Sequence, residues 1–177
     1  GAVNVNTAQP SRPNSALVTP NLMKTLGVPP LKGRWFNDED SRPGAADTVI
    51  LSAEFWQRHF GGDAGILGRQ LLIDNVSTTI VGVMPPGYDV HDQKVEIWLP
   101  LTIDPATLSG RRGNHFLYVV ARRKDGVSPQ QARADITQMQ THWQDFVGTG
   151  TAVGHLFRPN VPNGHVLRID PLKVDVA

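Results

Sequence analysis

The run from Val49 to Leu101 constrains the fold of this chain more than any other stretch, because strand, helix and hairpin signals follow one another there without a break. Thr48 to Leu51 has the β-branched, apolar character of a strand. Ser52 can cap a following helix that carries Glu54 in its first turn and Arg58 and His59 in its last, with Gly61 just beyond as a left-handed stop. Phe55, Trp56, His59 and Phe60 fall on one side at helical spacing, which predicts a short helix pinned by large rings against a sheet. Alone, so short a helix would not persist. Arg69 to Ile73 and Val76 to Met84 flank Asp74-Asn75, residues that tolerate positive φ, and this predicts a tight β-hairpin. Pro85-Pro86-Gly87 ends its second strand, and Ile97 to Leu101 reads as a short edge strand closed by Pro100.

Around this run the signals are sparser. Ala2 to Val5 alternates as a strand would, and Ala16 to Val18 resumes an apolar run. Thr19-Pro20 reads as an N-cap followed by proline at the first helical position, with Leu22, Met23 and Leu26 as a buried stripe and Gly27 as the stop. From Gly33 to Asp47 the chain is rich in Gly, Pro and charge, so it should cross the surface as a loop anchored by Trp35 and Phe36. His115 to Lys124 has the near-continuous apolar run of a strand covered on both faces. Ser128, Pro129 and Gln131 form a capping box, and Ala132, Ile136, Met139, Trp143 and Phe146 or Val147 mark one face of a helix of about five turns. Val166 to Leu172 alternates as a final strand after a Gly- and Pro-rich loop.

Composition narrows the chemistry. A net charge of +1 with 19% charged residues makes nucleic acid an unlikely partner, and the absence of cysteine removes disulfides and thiolate sites. No apolar run reaches the roughly 18 residues of a membrane span, and with no starting methionine or leader the chain reads as a piece of something larger. His59, His91, His115, His142, His155 and His165 lack metal-ligand spacing. Gly148, Gly150 and Gly154 follow a helix, the wrong context for a phosphate loop, and Gly61-Gly62-Asp63 fits a helix stop better than a nucleotide loop. Ser52 lacks the flanking glycines of a nucleophile elbow. Asp38, Glu39 and Asp40 read as a solvated acidic loop without calcium-loop spacing, and Arg111-Arg112 and Arg122-Arg123-Lys124 as solvated ends of loop and strand. No catalytic, cofactor-binding or metal residue, and no cofactor, is therefore expected.

Three segments together resemble the MacB-like periplasmic core domain of FtsX-like ABC transporter permeases. They are Ala16 to Asp40, the Val49 to Leu101 run with its Val83-Met84-Pro85-Pro86-Gly87 and Trp98-Leu99-Pro100-Leu101 elements, and Asn114 to Ile136. The form with Asn114-His115-Phe116 is most similar to the large permeases common in acidobacteria. The resemblance implies a two-lobed α+β fold: a porter-like βαβ layer from residues 1–34 and 112–177, and a small inserted α/β lobe with a β-hairpin from 35–111. Family members carry a further strand and helix ahead of the Ala16 region, which implies that the porter-like layer here lacks its first strand and helix.

The function so implied is non-catalytic. The domain would stand on the extracytoplasmic face of the bacterial inner membrane and relay ATP-driven conformational change to substrate or partner proteins in efflux or export. Its implied partners are the transmembrane helices of a dimeric parent permease, a cytoplasmic ATPase acting indirectly, and a periplasmic adaptor protein. The alternative is a free-standing secreted or lipid-anchored binding module of the same fold.

Overall fold

The computed structural model describes residues 1–6, 11–90, 93–104, 117–142, 170, 172 and 174–175. They fall into two compact units, Gly1–Ala106 with Leu172–Ala177, and Thr107–Pro171. The fold is α+β.

The first unit is built on strands β1 (Val5–Asn6), β2 (Ser15–Val18), β3 (Lys32–Gly33), β4 (Thr48–Leu51), β5 (Gln70–Ile73), β6 (Val76–Val83) and β8 (Ile97–Pro100). They form one mixed sheet in the order β1-β5-β6-β4-β8-β2, with β3 pairing to β6 beside that path. All of β4 is buried, as its unbroken Thr-Val-Ile-Leu sequence requires of a strand covered on both faces. The β5–β6 hairpin turns at Asp74 (φ 47°) and Asn75 (φ 67°), the left-handed pair that matches the twist of antiparallel strands.

Alternation along the strands divides the apolar side chains between two clusters. Val49, Leu51 and Ile97 join Leu71, Ile73 and Ile80 on one side, where helix α2 (Ala53–Phe60) adds Phe55 and Trp56. Ile50 and Trp98 point the other way, against Met23 of helix α1 (Leu22–Leu26), Phe36 and Tyr88. The register of β4 on β6 skips Val81, so Val49 faces Ile80 while Ile50 faces Gly82. Such a bulge bends β6 where β3 crosses to pair with it.

The ends of the sheet are joined. Val5 bridges to Ser11 and Ala2 to Asn14, so the residues ahead of β2 lie beside the segment that carries β1. The Ser15 amide donates to the Gly1 carbonyl at 2.8 Å, which extends the same contact.

Helix α2 forms as its termini predict. Ser52 is extended (φ −72°, ψ 156°), and its hydroxyl accepts from the Phe55 amide at 3.0 Å. Gly61 ends the helix at φ 61°. Ser52→Ala should cost about 1 kcal/mol of unfolding free energy, measured by urea denaturation, because the amide loses its acceptor in a buried setting.

Several expectations need correction. Strand β8 is interior to the sheet, antiparallel to β4 and parallel to β2, and Pro100 is tolerated because the pairing with β4 stops at Trp98 and the Leu101 amide is the one that bonds the Val18 carbonyl. Helix α1 begins at Leu22, with Asn21 rather than Thr19 at the cap. The Thr19 hydroxyl donates to Asn21 Oδ1 at 2.8 Å, and the Leu22 amide closes a turn on the Thr19 carbonyl. Residues 117–124 are not a strand, and Tyr118 and Val119 are each 91% exposed. An apolar run supplies propensity, whereas a strand also needs a ladder partner. The final strand expected at Val166 to Leu172 lies mostly outside the described residues, as do His115 and Phe116. Asp170 and Leu172 are exposed, and the strand found nearby is β9 (Val174–Asp175), antiparallel to β7 (Asp89–Val90).

Pairing of β1 with β5 and of β2 with β8 places the N-terminal segment in the same sheet as the hairpin. In the second unit, helix α3 (Pro129–Thr141) carries the expected capping box. The Ser128 amide donates to Gln131 Oε1 at 2.8 Å, and the Gln131 amide to Ser128 Oγ at 3.2 Å. Of its expected apolar face, Ala132 is half-buried, Ile136 and Met139 are exposed, and Trp143, Phe146 and Val147 lie outside the described residues.

Candidate functional site

The loop after β3 holds a dense group of charges, Arg34, Asp38, Glu39, Asp40 and Arg42. Arg34 leaves that strand with its amide bonded to the Val81 carbonyl at 3.0 Å, and its guanidinium grips Asp40 with two prongs. Nη1 reaches Oδ2 at 2.6 Å and Nη2 reaches Oδ1 at 2.9 Å. The Asn37 amide donates to Oδ2 at 2.7 Å and the Thr48 hydroxyl to Oδ1 at 3.1 Å. Both carboxylate oxygens are therefore engaged twice, which suits a fixed lock better than a proton acceptor.

This corrects the reading of residues 38–40 as a solvated acidic loop. Asp38 and Glu39 are exposed, but Asp40 is buried. Burial by itself pushes its carboxyl up. The hydrogen bonds from Arg34 and the Asn37 amide, the Arg34 charge and the Thr48 hydroxyl outweigh that and hold it below the usual carboxylate range. Arg34 is raised above its ordinary value, first by its hydrogen bonds to Asp40, against some desolvation. The loop so fixed walls an open groove of about 610 Å³ whose lining includes Arg34, Glu39, Arg42, Thr48 and Thr79.

The other residues considered for chemistry are accounted for locally. His59 is half-buried and stacks on Phe55 with ring centroids 4.3 Å apart. Burial and the neighbouring Arg58 charge lower its pKa, with Glu96 opposing. Arg58 pairs with Glu96 and so ties α2 to the residue preceding β8. His142 is exposed, with Nδ1 3.0 Å from the Gln138 carbonyl oxygen. His91, His115, His155, His165, Arg111, Arg112 and the glycines at 148, 150 and 154 lie outside the described residues. Arg122, Arg123 and Lys124 are exposed. Among the described residues no three His, Cys, Asp or Glu side chains gather as a metal site, and no helix is long and apolar enough to cross a membrane.

Sequence reasoning missed the Arg34–Asp40 lock, since a pair six apart in an irregular loop has no period to betray it. Its one local signal is Asn37, whose side chain accepts from the Glu39 and Asp40 amides and curls the loop back. Tyr88 was also missed. It is 4% exposed, edge-on to Trp98 at 5.6 Å, and its hydroxyl has no partner among the described residues.

Burial pushes the Tyr88 phenol up to about 12. Its contribution to stability is therefore complete below the unfolded value of about 10 and lost as pH rises through the folded one. Ultraviolet titration of the folded protein should show a late phenolate transition that disappears in Tyr88→Phe. Persistence of that transition in the variant would assign it elsewhere.

A mixed sheet with a few short helices is a fold shared with other proteins of known structure. The periplasmic region of MacB from Actinobacillus actinomycetemcomitans has this fold, with a TM-score of 0.57 at 13% identity, over 82% of this chain and 64% of that one. A domain of a putative permease protein from Porphyromonas gingivalis matches with a TM-score of 0.52 at 21% identity, over 83% and 68% of the two chains.

Residues 2–139 match the MacB-like periplasmic core domain family, and the chain belongs to it. The macrolide export ATP-binding/permease protein MacB 2 of Aeromonas hydrophila subsp. hydrophila is 26% identical over 131 residues, which is 71% of this chain. MacB 1 of Yersinia pestis bv. Antiqua is 24% identical over 98 residues, or 54% of it. The chain spans 20% and 15% of the length of these two relatives. It is thus a periplasmic domain of the ABC transporter permease kind, as the three sequence segments implied.

Proposed function

We propose that this domain is a non-catalytic mechanical element of a parent ABC transporter at the bacterial inner membrane, relaying ATP-driven movement to substrate or partner proteins in efflux or export. The observation that carries the reading is the family match across residues 2–139. The geometry agrees with it, because the buried charge of the first unit is spent on fixing a loop. A relay must be stiff, and the Arg34–Asp40 lock, the ring-pinned α2 and the two-faced burial of β4 each add stiffness to one sheet. The domain would work beside the parent's transmembrane helices and ATPase part, with a periplasmic adaptor as a docking partner.

The test is made in the intact parent transporter reconstituted in vesicles. Deleting the domain should abolish transport while ATP hydrolysis remains measurable. Transport at the wild-type rate without the domain would overturn the proposal.

A further inference from the structure

We draw no further inference here: the strongest candidate, the exposed apolar run Leu117–Val119 ahead of α3 in the second unit, carries nothing because nothing in the structure shows what covers it.

Discussion

Gly33→Ala should lower the unfolding free energy by roughly 3–5 kcal/mol, seen as a drop in the urea midpoint at unchanged slope. Two costs add at this position. Gly33 sits at φ +74°, where a side chain is disfavoured by about 1–2 kcal/mol. A methyl group there would also lie 2.2 Å from the Val81 carbonyl oxygen and 2.8 Å from Leu67 Cδ2. The carbonyl belongs to the bulged part of β6 and already accepts from the Arg34 amide, so it cannot retreat without breaking the β3–β6 ladder. Gly44→Ala is the control. Gly44 has φ +80° with nothing within 4 Å, so only the conformational cost of about 1–2 kcal/mol remains. Equal losses in the two variants would remove close packing as the cause.

Asp40→Ala should cost about 2–4 kcal/mol, because it leaves the Asn37 amide and the Thr48 hydroxyl without their acceptor. Arg34→Ala should cost a similar amount, about 2–4 kcal/mol, because it leaves the Asp40 carboxylate, only 5% exposed at its side chain, without its charged partner. A double-mutant cycle should return a coupling of about 1 kcal/mol or more between them, and a coupling near zero would dissolve the lock. The pair also fixes a pH dependence. The folded Asp40 carboxyl titrates below its unfolded value, so its stabilisation is complete above about pH 4 and lost as pH falls through the folded value. Asp40→Asn should flatten that acid limb. His59 acts in a different window, since its lowered pKa gives a contribution complete above about pH 6.5 and lost as pH falls below that. His59→Gln should leave the limb below pH 4 in place, which separates the two groups in one set of denaturation curves.

The parts of the fold that could be read in advance are those whose causes lie within a few residues. Ser52, Gly61, Asp74-Asn75 and the Ser128/Gln131 box each set their element through local hydrogen bonds and backbone preference. Trp98 shows the opposite case. Its strand was read as an edge because Pro100 cannot donate, yet the neighbours of β8 are β2 and β4, some 80 and 50 residues away in sequence, and no local signal announces them. Leu117 to Val119 were read as core from composition, whereas burial depends on what packs against a run. The Arg34–Asp40 lock failed for the same reason. Its members belong to a loop, and the strands that make it possible are brought beside it only by the sheet.

The joined ends of the main sheet bear on how this domain behaves when crowded with others of its kind. A strand with an open side offers a row of unpaired amides and carbonyls on which a second chain can nucleate. Here Val5 is held by Ile73 on one side and Ser11 on the other, and the start of β2 is covered by Gly1 and Ala2. Residues 1–6 therefore cover backbone on which an incoming strand would otherwise pair, and their removal should be felt in solubility as well as in stability.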